Sequence, residues 1–192
     1  MDELGDLGKT VTYRLELPGG QGRLKEASIF IMEIARDFEY FGLVKLNKIL
    51  WRADFSSFLE RHFPVTGRPY QKLEHGPAPV EMKPVLREME TNGWIAYVAS
   101  SVPNERRPVP LSPPRLGNLS PRELSYLSGA AEHYREMTAA ETSKDSHGVA
   151  WQTREIGSLI PYDAAIFDDQ PLPQELEHKL AWLGRDRHWR SA

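Results

Sequence analysis

Length, composition and charge leave room for one globular domain. The chain has 192 residues, of which 40% are hydrophobic and 27% charged, so it can bury a sizeable core but is short for two domains. It contains no cysteine, which excludes disulfides and cysteine-ligated zinc, and its formal net charge of -3 gives no general attraction to nucleic acid. Its start is acidic and unlike a signal peptide, and no apolar run is long enough to cross a bilayer, so we expect a cytoplasmic protein without membrane contact.

The first part of the chain predicts a strand and a helix. Thr10 to Leu17 alternates strictly between apolar and polar residues, which predicts a half-buried strand that ends at the glycine-rich turn 18–22. Apolar residues then recur at helical spacing and predict a helix over Arg23–Phe38. Residues 1–9 are expected to form a flexible N-terminus.

A second amphipathic helix is predicted from Lys45 to about His62. Its apolar residues recur at three- and four-residue steps and form one stripe toward the core, made of Leu46, Ile49, Leu50, Ala53 and Phe58. Lys45, Lys48 and Arg52 are expected on the other side of the helix, in water or against a partner.

Two short segments that follow this helix are predicted to be stiff. Thr66 to Tyr70 is predicted to form a polar turn, in which Gly67 is free to take a positive φ. In the segment His75–Pro79, Gly76 and Ala78 each precede a proline and are pushed toward extended geometry, which predicts a rigid corner. No catalytic chemistry requires this pattern, so it indicates a shape.

The middle of the chain predicts a helix followed by a two-stranded ribbon. The helix begins between Pro79 and Pro84 and ends at Asn92-Gly93. Trp94 to Val98 is typical of a strand, and Arg107 to Leu111 is its predicted antiparallel partner. A helix, a glycine and a ribbon are also how a winged-helix DNA-binding unit ends, so a DNA-binding transcriptional regulator is an alternative function.

The charges around this ribbon decide between the alternatives. Arg87 lies on the helix before the ribbon, and Arg106 and Arg107 lie at the ribbon tip, where a wing would meet phosphate. Three glutamates on the helix that would enter the groove repel the DNA backbone, namely Glu81, Glu88 and Glu90. A ribbon that covers the core is therefore favoured, and nucleic acid is not the expected partner.

The last third of the chain predicts three more helices. Ser120-Pro121-Arg122-Glu123 is a capping box with proline at the first helical position, which is a strong helix start. A further helix carries His147 and Trp151, which lie four residues apart on one face, where the imidazole can pack on the indole. Gln174 to Leu183 is predicted to form a last short helix.

The sequence contains no signature of a chemical reaction. Its six histidines are scattered, and none forms the His-x-x-x-His or His-Glu-x-x-His pair that places two metal ligands on one helix face. There is no Gly-x-Ser-x-Gly, and the glycine-rich turn before the first helix lacks the lysine and hydroxyl of a phosphate-binding loop. We therefore expect no catalytic residue, no metal and no cofactor.

The ordered motifs resemble the Panacea domain of the SocA-like and GepA-like antitoxins of bacteria and phages. The helix Lys45–Leu50, the turn Thr66–Tyr70 and the corner His75–Pro79 follow one another in the family's order. Ser143-x-x-x-His147-x-x-x-Trp151 then resembles the serine-histidine-tryptophan signature near the family's C-terminal end, so that the resemblance runs from about residue 29 to residue 160. The matching motif residues are expected to be structural: Lys45, Leu46, Leu50, Gly67, Gly76, Pro77, Pro79, His147 and Trp151.

The resemblance implies an antitoxin, that is, a protein that binds and silences a co-encoded toxin, and it does not imply an enzyme. A cellular protease is a further partner if the protein also delivers the toxin for degradation. The expected architecture is a single compact α+β domain over residues 10–183, mainly helical, with a small antiparallel sheet made from the N-terminal strand and the ribbon. Residues 184–192 are expected to form a basic tail.

Candidate partner contacts combine arginine with aromatic residues, which are enriched in protein interfaces. Arg52, Arg68 and Tyr70 lead into the rigid corner at His75, and a stiff corner loses little entropy on association. These four residues are the predicted contacts, and the basic tail is a secondary candidate. For Tyr70, a place in the core is the alternative.

Overall fold

The computed structural model describes residues 17–100 and 106–168, with side chains up to Ile166 in the second range. Apart from Leu17, the strand predicted over Thr10–Leu17 lies outside the described residues. The helix predicted over Gln174–Leu183 and the tail 184–192 lie outside them too. No helix in the described ranges is long and apolar enough to span a bilayer.

The described residues form an α+β fold that is mainly helical, as predicted. The helices are α1 (Gln21–Ile34), α2 (Leu43–Arg61), α3 (Met82–Thr91), α4 (Pro121–His133), α5 (Ala139–Asp145), α6 (Val149–Gln152) and α7 (Ala165–Asp168), with a 3-10 turn at Tyr162–Ala164 before α7. The strands are β1 (Tyr70–Leu73), β2 (Gly76–Pro79), β3 (Ile95–Ala99), β4 (Arg106–Pro110) and β5 (Leu159–Ile160). Their pairings are antiparallel.

Helix α2 is the central element of the fold. It ends at His62, whose left-handed φ of 61° terminates the helix close to the predicted position. The predicted apolar stripe is buried except for Phe58, which is partly buried, but α1, α4, α5, α7 and β2 also pack against α2. Polar side chains of α2 are therefore buried as well, including Lys45, Lys48 and Asp54. The prediction that Lys45 and Lys48 lie in water or against a partner is wrong, because a helix packed on several sides leaves few positions for solvent.

The sheet beside α2 has three strands in the order β2-β1-β5. Strands β1 and β2 form a hairpin whose register runs from Tyr70 opposite Pro79 to Leu73 opposite Gly76, and β5 pairs with the other edge of β1. The segment predicted as a rigid corner thus supplies β2, and the predicted turn Thr66–Tyr70 leads into β1, of which Tyr70 is the first residue. Proline donates no hydrogen bond, and Pro77 and Pro79 lie on β2, the edge strand, where proline is tolerated.

Strands β3 and β4 form the predicted ribbon, in a register from Ile95 opposite Pro110 to Ala99 opposite Arg106. Within the described residues the ribbon is a separate two-stranded sheet, and it does not join the sheet of β1, β2 and β5. The sequence therefore predicted the ribbon and missed the three-stranded sheet, whose strands have only two to four residues.

Side-chain caps begin the two helices that lead to the motif region at 143–151. Ser120 accepts from the Glu123 amide, and the Glu123 carboxylate accepts from the Ser120 amide at 2.7 Å, which confirms the predicted capping box of α4. Thr138 and Glu141 form the same arrangement at the start of α5. The Glu123 carboxylate also pairs with buried Arg23 of α1, so α1 and α4 are joined at this end.

Candidate functional site

The two motif regions, far apart in the sequence, meet at the turn of the β1–β2 hairpin. Ser143 Oγ on α5 donates to the carbonyl oxygen of His75 at 3.0 Å. Trp151 Nε1 on α6 donates to the carbonyl oxygen of Leu73 at 2.9 Å. The turn is therefore held on both sides by side chains of the second motif region. We call this arrangement the hairpin-tip site, made of Lys48, Lys72, Leu73–Pro77, Ser143, Ser146, His147 and Trp151.

Gly76 marks the closest approach of the hairpin to the helices. A Cβ atom at this position would lie 2.6 Å from Ser146 Oγ and 2.7 Å from Lys48 Nζ, closer than real Cβ contacts. Its φ of 97° is also a conformation that residues with a side chain rarely adopt. This geometry gives the structural role predicted for Gly76 a specific cause.

Trp151 is packed between two basic side chains. The His147 imidazole stacks on the indole with ring centroids 3.7 Å apart and planes 5° apart. The Lys72 ammonium lies 3.8 Å from the indole centroid, and it must lie over the opposite face because His147 occupies the first. The stacking follows the predicted spacing, but the predicted single helix is two short ones, since Gly148 adopts an extended conformation between α5 and α6.

Lys48 lies directly beneath the hairpin turn. Its side chain is buried, and Nζ donates to the carbonyl oxygen of Pro77 at 2.7 Å. Burial lowers the pKa of Lys48 to about 7, because the ammonium loses its hydration. Burial and then the positive charges of Lys48, Lys72 and His75 lower the pKa of His147 as well. The site therefore gathers basic groups, and the charged forms of Lys48 and His147 are disfavoured there.

Lys45, the other buried lysine of the motif helix, connects α2 to the segment after α4. Its Nζ donates to the carbonyl oxygen of Arg135 at 3.2 Å and lies within 6 Å of the ring centroids of Phe38 and Tyr40. A carbonyl dipole and two aromatic faces are favourable surroundings for an ammonium. Leu46 and Leu50 of the same motif are fully buried in the core.

A buried acid organises the other end of the hairpin, which we call the hairpin base. The Asp54 carboxylate accepts hydrogen bonds from the Thr66 amide (2.6 Å), the Thr66 hydroxyl, the Tyr70 hydroxyl (2.8 Å) and the Tyr162 hydroxyl (3.3 Å). Burial raises the pKa of Asp54 to about 6, although these hydrogen bonds oppose the rise. Gly67, which follows Thr66, has a φ of 67° and so confirms the predicted positive φ in this turn.

The predicted partner contacts do not form one continuous patch. Tyr70 is fully buried and packs against core aromatics, so the alternative that placed it in the core is correct. His75 is exposed at the hairpin turn, whereas Arg68 lies at the hairpin base, where it pairs with the Glu81 carboxylate. Since β1 has four residues, these two ends lie about 10 Å apart.

Arg52 borders a cleft of about 220 Å³ between α2, α7 and the C-terminal ends of α4 and α5. The lining residues are Trp51, Arg52, Phe55, Ser56, Leu59, Tyr134, Asp145, Ser146 and Ala165. The Arg52 guanidinium lies 4.0 Å from the Asp145 carboxylate and 6.0 Å from the centroid of the Tyr134 ring. Ser146 belongs both to this cleft and to the hairpin-tip site, so the two features are neighbours.

The hairpin-tip site contains a serine and a histidine, but not in the arrangement of a catalytic pair. Ser143 Oγ lies 3.3 Å from His147 Nε2, yet the hydroxyl donates to the His75 carbonyl, so its proton is directed away from the imidazole. A catalytic histidine is usually oriented by a carboxylate, whereas the titratable groups that act on His147 are all basic. In the part of the chain that the structure describes, no group of three histidine or acidic residues could hold a metal ion. The geometry suits a rigid recognition surface.

Of the two ribbon arginines of the DNA-binding alternative, Arg107 is held by hydrogen bonds within the molecule and Arg106 is exposed. The Arg107 guanidinium donates to the carbonyl oxygens of Ala35 (2.5 Å) and Phe38 (2.6 Å), just after the C-terminal end of α1. A helix C-terminus attracts cations, so this contact joins the ribbon to α1. Arg106 lies 4.7 Å from the ring centroid of Tyr97. The contacts of Arg107 favour a ribbon that covers the core over a wing that contacts phosphate.

Comparison with protein families gives a match to the model described as antitoxin SocA-like, Panacea domain, over residues 46–152. That range is more than half of the chain. The chain belongs to the SocA-like antitoxin family. A search of curated proteins and a search of solved structures find no match. The matched range runs from α2 to the end of α6, so the Panacea domain contains the entire hairpin-tip site.

Sequence reasoning missed three residues of the hairpin in this Panacea domain, namely Lys72 and Ser146 at the hairpin-tip site and Asp54 at the hairpin base. Asp54 follows Leu50 by four residues within the apolar stripe, and a lone acid at a core position is a signal that could have identified it. Lys72 and Ser146 carry no such signal, because only the folded chain brings them to the hairpin turn.

Proposed function

We propose that this Panacea protein is an antitoxin that neutralises a co-encoded toxin by direct protein–protein binding. Membership of the antitoxin family supports the general role. The observation that favours binding over catalysis is the hairpin tip, where family motif residues support one exposed turn from below and from both sides. A turn held in this way loses little entropy when a partner binds. No residue does covalent chemistry in this proposal, and both proteins meet in the cytoplasm.

The proposed contact surface comprises the hairpin turn and the neighbouring cleft. His75 is exposed on the turn, and Arg52 is partly exposed at the cleft beside Leu59, whose exposed fraction is 42%. Arginine beside aromatic and aliphatic groups in a concave surface is typical of the energetic centre of a protein interface. Arg68 at the hairpin base is a further proposed contact, separate from this centre.

Delivery of the toxin to a cellular protease is a variant of the same function. In this variant, the antitoxin acts as an adaptor: it holds the toxin through the same surface and presents a second surface to the protease. Growth rescue in a host that lacks its cytoplasmic proteases separates the two forms, because neutralisation by binding persists there and neutralisation by degradation does not.

Co-expression with the product of the neighbouring gene tests the proposed function. We expect that gene to arrest growth when expressed alone, and we expect this chain to restore growth and to co-purify with the gene product. Growth arrest that is not relieved, together with no co-purification, would contradict the proposal.

Charge reversal maps the surface once a complex is in hand. Arg52→Glu and His75→Glu are expected to abolish rescue while the melting temperature stays within a few degrees of wild type, since both side chains reach solvent. Lys83→Glu on the exposed surface of α3 is the matched control and should rescue normally. Arg68→Glu and a deletion after Leu183 are compared in the same assay. Unchanged affinity in Arg68→Glu with complete loss in the deletion would remove Arg68 from the proposed contacts.

A further inference from the structure

Four basic side chains from different parts of the fold surround the hairpin turn. Lys48 comes from α2, Lys72 from β1, His75 from the turn itself, and His147 from the segment between α5 and α6. The first three are close enough that their positive charges act on His147. Among the described residues, Lys48 donates to the Pro77 carbonyl, His147 contacts Ser143 and Trp151, and no carboxylate forms an ion pair with either.

The positive charge beneath the turn is met by dipoles. The Lys48 ammonium is buried and donates to the Pro77 carbonyl, which is a weaker counterpart than a carboxylate. A buried cation without an opposite charge costs free energy, and a nearby anion recovers part of that cost. When they are protonated, Lys48 and His147 contribute a positive potential at the turn, which an outside anion would complement.

This potential is accessible at a fixed position on the surface. His75 is exposed, and His147 is half-buried with one ring face covered by Trp151. The hydrogen bonds of Ser143 and Trp151 hold the backbone on each side of His75. An anion would contact the two imidazoles, while Lys48 beneath them acts through its field.

We infer that the hairpin tip is a carboxylate-binding site and that it receives an aspartate or glutamate side chain of the protein partner. The identity of that partner as a toxin rests on the proposed function, whereas the site itself does not. A single carboxylate fits better than a polyanion, because the exposed acid Glu74 lies next to His75 and would repel an extended phosphate backbone. Complementary charges of this kind fix partner choice and orientation.

Carboxylate binding at this site carries a signature in pH. An anion favours the charged forms of Lys48 and His147 and so opposes the burial that lowers their pKa values. The other groups that act on His147, namely Lys48, Lys72 and His75, are all basic. The complex then holds more protons than the free protein, so its affinity increases as the pH falls from 8.

The first arm of the test uses acetate as the probe and needs no partner. Sodium acetate is titrated into the full chain, with sodium chloride at equal ionic strength as the reference, and the imidazole signals are followed by NMR. We expect acetate to give a saturable shift and to raise the pKa of His147, which chloride does not do. Equal responses to the two salts would overturn the site, since they would show screening alone.

A matched pair of variants identifies the residue responsible. His75→Asn is expected to weaken acetate binding at least fivefold. His62→Asn should leave it unchanged, because His62 is exposed at the far end of α2 and asparagine tolerates its left-handed backbone. If both variants bind acetate as wild type does, the site does not involve His75 and the inference fails.

In the second arm, calorimetry measures binding of the full chain to the product of the neighbouring gene at pH 6.5 and 8.0. Both pH values lie above the pKa of about 6 of Asp54. We expect proton uptake and roughly tenfold tighter binding at pH 6.5, both lost in His75→Asn. A neutralising complex without these effects would overturn the carboxylate site and leave the antitoxin function intact. If no complex forms, the antitoxin function fails and the acetate arm alone decides the site. Binding of duplex DNA that His75→Asn abolishes would identify phosphate as the ligand and overturn the inference.

Discussion

Replacing Gly76 with alanine tests how closely the hairpin turn is packed on α2 and α5. The added Cβ would lie 2.6 Å from Ser146 Oγ and 2.8 Å from Lys48 Cε, and both side chains are buried. Overpacking of this kind costs about 1–3 kcal/mol. The left-handed backbone, with a φ of 97°, adds about 1–2 kcal/mol for a residue with a side chain. We therefore expect Gly76→Ala to lower the free energy of unfolding by about 2–5 kcal/mol.

Gly93→Ala is the matched control, because it shares the backbone strain and lacks the clash. Gly93 has a φ of 69°, and nothing lies within 4 Å of a Cβ at that position. Its expected cost is about 1–2 kcal/mol from the backbone alone. Ser146→Ala removes the nearest clashing atom, so the double variant Gly76→Ala/Ser146→Ala should be less destabilised than the two single changes predict when added.

Urea unfolding followed by circular dichroism measures these differences at a common pH. The expected order of destabilisation is Gly76→Ala well above Gly93→Ala, with a favourable coupling between Gly76 and Ser146. Equal costs for the two glycines, or strict additivity with Ser146→Ala, would show that the turn is not packed on Lys48 and Ser146 as described.

Three further predictions concern the groups around the hairpin. Trp151→Ala should lower the free energy of unfolding by about 3 kcal/mol in thermal denaturation, which is the low end for tryptophan because the indole is half-buried. A variant that keeps its stability but no longer binds the partner would instead place Trp151 in the interface. Asp54 has a folded-state pKa of about 6 against 3.8 for the free group, so the folded state binds the proton more tightly and stability falls by about 3 kcal/mol as the pH rises from 3.8 to 6. Asp54→Asn should remove this component from pH-dependent urea unfolding. An unchanged pH profile in the variant would contradict the assignment. Lys48 has a folded-state pKa of about 7 against 10.5 for the free group, so its contribution to stability rises between pH 7 and 10.5 by up to about 1.4 kcal/mol per pH unit. Lys48→Met should abolish this slope. The same slope in the variant would contradict the burial of the Lys48 ammonium.

Local signals in the sequence predicted the elements that depend on neighbouring residues. The capping box at Ser120 and Glu123, the end of α3 near Gly93 and the pairing of β3 with β4 all follow from local rules, and all are present. The stacking of His147 on Trp151 also follows from their spacing.

The β1–β2 hairpin was not predictable in the same way. Its strands have four residues each, and Pro77 and Pro79 interrupt the pattern that normally marks a strand. Their partner β5 lies at residues 159–160, so the sheet depends on contacts between distant parts of the chain. Motif order identified the family without identifying this geometry.

The burial of Lys45, Lys48 and Asp54 was missed for a different reason. The amphipathic argument assumes that a helix has one buried face, whereas α2 is covered on several sides. Each buried charge is accommodated by groups that a pattern cannot anticipate: a carbonyl after α4, the Pro77 carbonyl, and the hydroxyls that surround Asp54. Exposure of Arg52 and His75 is compatible with partner contact, which stays a prediction.

The stoichiometry of neutralisation tests the central claim most directly. The purified chain is titrated into the purified product of the neighbouring gene, and the toxin is then separated from the complex under denaturing conditions, refolded and weighed by mass spectrometry. Direct binding predicts a fixed stoichiometric end point, an unchanged toxin mass and recovered toxicity after separation. Silencing at amounts of this protein far below stoichiometric, or a toxin whose mass has changed, would contradict the account and identify an enzyme instead.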